Sequence, residues 1–158
     1  MTWALYAFSC ETLGQTMMYP DKFPPGSDPD VPLITKDNWF DLQTPDFSVG
    51  IPKIIDDVLR VTEELTGMEP LLKISAPYSL AADIYGQELL LSDVVNNPER
   101  VNALLDHLAN RVIGPWIDHH MAKFPNGWVE LSDASGSPFL LVLKIARPCR
   151  SALSSRWK

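Results

Sequence analysis

Hydrophobic residues recur at three- and four-residue intervals across residues 51–65. Ile51, Ile54, Ile55, Val58, Leu59, Thr62 and Leu65 share one side of a helical wheel, which predicts an amphipathic helix. Gly67 follows as its stop, because glycine takes the left-handed turn that ends a helix without steric cost. A second stripe runs through Val101, Leu104, Leu105, Leu108, Val112, Trp116 and Met121. It starts behind Asn97-Pro98-Glu99, with Asn97 as the N-cap, Pro98 at the first helical position and Glu99 at the positive end of the dipole. Gly114-Pro115 inside this stripe predicts a kink or break, and Pro125-Asn126-Gly127 its end.

The short apolar run Pro70 to Ser75 predicts a buried strand, and Trp128 to Leu131 reads as a second strand. Thr2 to Leu13 reads as a helix closed by Gly14, and Tyr78 to Tyr85 as another, up to Gly86. Glu88 to Val95 is a short helical or irregular stretch, and Trp39, Phe40 and Leu42 mark a further short helix. Tyr19 to Leu33 contains Pro20, Pro24, Pro25, Pro29 and Pro32, which remove donors and fix φ, so a loop is predicted there. Phe139 to Ile145 is apolar and fits helix or strand equally. Helix, strand, helices, strand is the order of an α/β fold with a parallel sheet. Periodicity alone leaves a barrel and an open doubly wound sheet equally open.

Charge changes this picture at one end. All 20 acidic residues lie at or before Asp133, while Lys144, Arg147, Arg150, Arg156 and Lys158 put five of the 13 basic residues in the last fifteen positions. Residues 1–143 therefore carry a net −12 and residues 144–158 a net +5. Two readings of this tail are open: a basic arm that docks an acidic partner, or sequence foreign to the fold. The second is preferred, since five charges form a weak patch. An acidic body argues against partnership with nucleic acid or an anionic membrane surface. No apolar run reaches the roughly 20 residues of a membrane span, and no basic segment precedes the first apolar residues as in a secretory signal. Cys10 and Cys149 are far apart and lack a CxxC partner, which suits reduced thiols and a cytoplasmic location.

Candidate chemistry gathers behind the two predicted strands, where parallel α/β folds place their sites. The first segment is Ile74-Ser75-Ala76-Pro77-Tyr78-Ser79-Leu80-Ala81-Ala82-Asp83. The second is Leu131-Ser132-Asp133-Ala134-Ser135-Gly136. Asp133 could serve as general base, hydrogen-bond acceptor or metal ligand, and equally as the cap of a following helix. His119-His120 are adjacent, so their rings point to different faces; this spacing is poor for a shared metal and reads as a solvated helix end. Asp56-Asp57 and Glu63-Glu64 read as the wet face of their helix. No dinucleotide, P-loop or zinc-protease motif occurs, and no metal site is expected within the chain.

In order and spacing these segments resemble the uroporphyrinogen decarboxylase superfamily, which also includes corrinoid-dependent methyltransferases. The residues carrying the resemblance are the turn Ala76-Pro77-Tyr78-Ser79-Leu80-Ala81, Gly86, the helix start Pro98-Glu99-Arg100-Val101, Leu104-Leu105 and the turn Leu131 to Gly136. Upstream, Leu13-Gly14, the proline-rich loop and Pro45-Asp46 also match, so the resemblance spans roughly residues 1–140. It implies a (β/α)₈ barrel of which residues 1–143 would be an incomplete domain, since such barrels need about 250 residues. It implies Asp133 and Asp83 as catalytic groups and Tyr78, Ser79, Ser132 and Ser135 as substrate-binding ones. The small-molecule substrate is undefined. Zinc and a corrinoid protein would enter through residues that the family carries elsewhere. Two departures favour the methyltransferase-like branch over the decarboxylase of porphyrin biosynthesis: the family decarboxylase has Tyr and Ser where Asp83 and Asp133 stand. Carboxylates there would repel a polyanionic porphyrinogen. The alternative is a chain without catalysis, an inactive and self-associating fragment with unpaired strand edges, or an interaction protein.

Overall fold

The computed structural model describes residues 5–23 and 25–133. The segments Phe139 to Ile145 and Lys144 to Lys158, and with them the proposed boundary at residue 143, lie outside the described residues. Six helices and four strands follow in the order α1 (Leu5–Thr12), β1 (Met17–Met18), β2 (Gly26–Ser27), α2 (Gly50–Thr66), β3 (Leu71–Ser75), α3 (Pro77–Tyr85), α4 (Gln87–Asn96), α5 (Pro98–Leu108), α6 (Gly114–Lys123) and β4 (Trp128–Ser132). The expected helix at Trp39 is a single 3₁₀ turn, Trp39–Asp41. Among the described residues no helix is long and apolar enough to cross a membrane.

β3 and β4 pair in parallel, with Leu71 opposite Trp128 and Ser75 opposite Ser132. The alternation of the pleat sorts their side chains. Leu72 and Ile74, each 1% exposed, turn into the core, and Val129 and Leu131 pack against the same cluster. On the other face the register partners Lys73 and Glu130 form an ion pair of 2.7 Å. The two strands leave the described part of the sheet open; no closed barrel is present among the described residues.

α3 is enclosed nearly all round, as expected of a helix with apolar residues on every side. Val101, Leu104, Leu105 and Leu108 of α5 and Trp116 of α6 complete the core around it. The break expected at Gly114-Pro115 is a π-helical turn over Ala109–Ile113. Proline has no N–H for the carbonyl four residues back and its ring crowds that carbonyl, so the preceding turn widens and the chain then resumes as α6.

The proline-rich loop is held by one side chain whose role its sequence context did not announce. Gln15, 3% exposed, donates to the carbonyl of Val31 at 2.8 Å and accepts from the amide of Leu33 at 2.8 Å. A two-residue antiparallel ladder, Met17 with Ser27 and Met18 with Gly26, closes the base of the loop.

Three expectations are corrected here. Asn97 does not cap α5 through its side chain; its amide donates instead to Asp93 at 2.8 Å. Asp56 is not on a wet face: it is 5% exposed and receives His119 at 2.9 Å and Lys123 at 2.6 Å, tying α2 to α6. His119-His120 is not a solvated helix end, for His120 is wholly buried while His119 lies between Asp56 and the ring of Phe47. The reason is common to all three. The helical wheel sorts polar from apolar faces but does not say which polar residues a neighbouring helix will meet.

Candidate functional site

The chain passes from β3 into α3 through the single residue Ala76, whose side chain cannot cap a helix. Pro77 at the first helical position lacks an N–H, but the next amides still need acceptors. Asp133, just past the end of β4, provides one. Its Oδ1 accepts both the Ser79 amide at 3.0 Å and the Ser79 hydroxyl at 2.9 Å. Asp133 thus caps the helix of the neighbouring βα unit, not one that follows it in sequence. A carboxylate is also favoured there by the helix dipole. The register makes this reach achievable: Ser132 lies opposite Ser75, and its carbonyl takes the Ala76 amide at 2.7 Å.

Replacing Asp133 with Ala should therefore lower folding stability by about 1–2 kcal/mol, the usual cost of a lost helix cap. Asp133→Asn, which keeps an acceptor oxygen, should recover most of it. Urea denaturation reads both, and an unchanged midpoint for Asp133→Ala would mean the cap carries no energy.

One helical turn beyond Ser79, on the same face of α3, stands Asp83. Every other residue of α3 is buried; Asp83, with Ala82 beside it, lines a recess. This recess, of about 180 Å³, is walled by Ser27, Asp28, Pro29 and Pro32 of the proline-rich loop and by Ala82, Asp83, Gly86 and Gln87. A wider depression of about 380 Å³ adjoins it, sharing Pro29, Pro32 and Gly86. Gly86 takes φ +95°, a left-handed value that lets α3 end and α4 begin at once. Burial raises the carboxyl of Asp83 above the usual carboxylate range, against the pull of a hydrogen bond from Cys10. The Cys10 thiol, on α1 and 1% exposed, donates to Asp83 Oδ2 at 3.5 Å. Burial first, then the Asp83 charge, pushes that thiol far up, so Cys10 is a donor and not a thiolate nucleophile.

The sequence-selected residues separate as follows. Ser79, Ser132 and Asp133 meet at the strand ends, and Asp83 lies one turn away in the recess. Tyr78 is 1% exposed and belongs to the core, outside the recess lining. Ser135 lies outside the described residues. Among the described residues no group of three or more His, Cys, Asp and Glu could hold a metal ion.

A second polar cluster, missed in the sequence, pins α3, α4 and α5 together. Asp93 receives Tyr85 at 2.6 Å, Asn97 at 2.8 Å and Arg100 at 2.6 Å. Burial alone would raise the Asp93 carboxyl, but these donors outweigh it and hold the group below the ordinary range. The Tyr85 phenol is pushed up to about 12 by burial and by the Asp93 bond. Helical spacing did not announce it, because α4 ends at Asn96 and Arg100 stands on α5.

The arrangement as a whole is an α/β fold in which Ser79, Ser132 and Asp133 stand behind the C-terminal ends of two parallel strands. Its fold is similar to a solved methyltransferase from Methanosarcina mazei, with a TM-score of 0.72 at 14% sequence identity. That likeness covers 95% of this chain and 46% of that one, so the chain spans about half the length of the structure it matches. No family model matches the chain, and no curated protein does so by sequence.

Proposed function

We propose that this chain carries about half of a (β/α)₈ barrel of the uroporphyrinogen decarboxylase superfamily, methyltransferase-like rather than decarboxylating. In this reading the recess beside Asp83 is part of its substrate pocket. The observation that carries the proposal is the exception in α3: on a helix otherwise wholly buried, Asp83 lines a recess between the proline-rich loop and the α3–α4 junction, one turn beyond the Ser79–Asp133 contact at the strand ends. The fold likeness to a methyltransferase supports it. So does the chemistry of the wall, since Asp28 and Asp83 suit a polycarboxylate poorly.

In this reading Asp83 binds the acceptor substrate and holds or takes its proton, with a carboxyl kept protonated further up the pH scale than an exposed aspartate. Cys10 orients the Asp83 oxygen, and Asp133 fixes the helix on which Asp83 stands. Zinc would polarise a thiol acceptor and a corrinoid would deliver the methyl group, but the described residues do not converge on a zinc site, so neither group is assigned to them.

Calorimetric titration of the chain with small neutral thiols and amines tests the assignment. Saturable binding that weakens at least about tenfold in Asp83→Asn is expected. Absence of saturable binding below about 10 mM, or an unaffected Asp83→Asn, would refute it.

A further inference from the structure

His120 is the one histidine of the chain with no exposed surface, and neither of its ring nitrogens makes a hydrogen bond of regular geometry. It sits in the last turn of α6, where the chain turns back into β4. Its ring lies 5.1 Å from that of Phe124. Its Nε2 is so close to Gly127 that a Cβ on that glycine would stand 2.8 Å away. The same corner is closed by the Trp128 amide, which donates to the Pro70 carbonyl at 2.8 Å and so ties the start of β4 to the start of β3. The neutral ring already buries one N–H and one lone pair without a regular hydrogen bond, and protonation adds a second donor and a charge. The imidazolium has two N–H donors and a charge, and must find acceptors or water.

We propose that the α6–β4 corner is a proton-operated latch: neutral His120 lets it close, and the imidazolium forces it open, loosening β4 and with it the hold of Asp133 on α3. The two ends of β4 supply the link. Trp128 begins the strand at the corner, and Ser132 ends it directly before Asp133, which accepts both donors of Ser79.

The charged groups around the ring do not cancel this. Asp56 on α2 favours the protonated ring, but it is already engaged by His119 and Lys123 of α6. A charged His119 opposes protonation. Ahead of β3, Glu69 is bound to the indole N–H of Trp128. The backbone at Trp128 and Pro70 also favours the protonated form, and exclusion from water outweighs all of these, so the ring titrates below its ordinary value. The sign follows from linkage. Below about pH 6.5 the unfolded or opened state binds more protons than the closed one, so the closed corner is favoured above that pH and weakens as the pH falls through it.

Amide hydrogen exchange on the intact chain, corrected for intrinsic rates, tests this at about pH 7.5 and about pH 5.5. Protection of the Trp128 and Ser79 amides should fall at least about fivefold on acidification in the wild type. It should stay within about twofold in His120→Phe, whose ring fills the site without titrating. If His120→Phe does not fold, His120→Gln serves in its place, and His119→Gln should retain the wild-type response. Equal protection at both pH values, or the same loss in the non-titrating variant, overturns the latch. Loss at Trp128 without loss at Ser79 overturns its link to α3. Neither readout depends on ligand binding at Asp83, so the latch and the methyltransferase-like reading can fail separately.

Discussion

Trp116→Ala should lower folding stability by about 3–5 kcal/mol, the range for truncating a large buried aromatic. Trp116 is 1% exposed and stacks on Phe47 at 5.4 Å between ring centroids, with 26° between the planes. It follows Gly114 and Pro115, so its position depends on the π-helical turn that sets α6 in place. Removing the indole leaves a cavity that the flanking proline and the enclosed His120 are poorly able to close. Trp116→Phe keeps a ring against Phe47 and should lose clearly less. Urea unfolding followed by circular dichroism measures both. A loss below about 1 kcal/mol for Trp116→Ala would place α6 outside the cooperative core.

Gly127→Ala should cost about 1–3 kcal/mol, the range for overpacking a closed site. Its Cβ would meet His120 Nε2 at 2.8 Å and the carbonyl oxygens of Phe124 and Pro70 at 3.0 Å each. The ring could shift slightly, but the two carbonyls are backbone. One accepts the Gly127 amide at 2.8 Å and the other the Trp128 amide at 2.8 Å. Relief therefore requires β4 to move away from β3 at its start. A smaller side chain at residue 120 removes only the ring contact, so His120→Ala should not rescue Gly127→Ala. Full rescue would show that the backbone contacts are slack. A thermal melt of the single and double variants decides this.

The candidate site was partly legible. The strand-end position of Ser79, Ser132 and Asp133 followed from two predicted strands, each leading into a turn of small and polar residues. The contact of Asp133 with Ser79 did not, because it depends on the register that sets Ser75 opposite Ser132. Asp83 was selected through a family pattern. The structure adds the recess and the Cys10 donor, which comes from 73 residues away. Tyr78 was expected beside substrate but is core, since an aromatic at a helix start can face either way until its neighbours are placed.

The amphipathic stripe of α2 shows the same limit from the other side. Ile55 is 5% exposed, yet Ile54, Val58 and Leu65 of that stripe are 57%, 58% and 79% exposed. The apolar face is wider than the surface the rest of the described chain covers.

By itself the sequence determined what local physics controls. The 3.6-residue period marked α2 and α5, Gly67 and Gly86 marked helix ends, proline content marked the loop, and the alternation of helix and strand implied a parallel sheet. The tertiary structure alone decided which polar groups meet: Asp133 on α3, Cys10 on Asp83, Asp56 between α2 and α6, and His120 sealed without a hydrogen bond of regular geometry. Periodicity is a property of one element, whereas the burial of an ionisable group depends on the element packed against it, and that partner is distant in the chain.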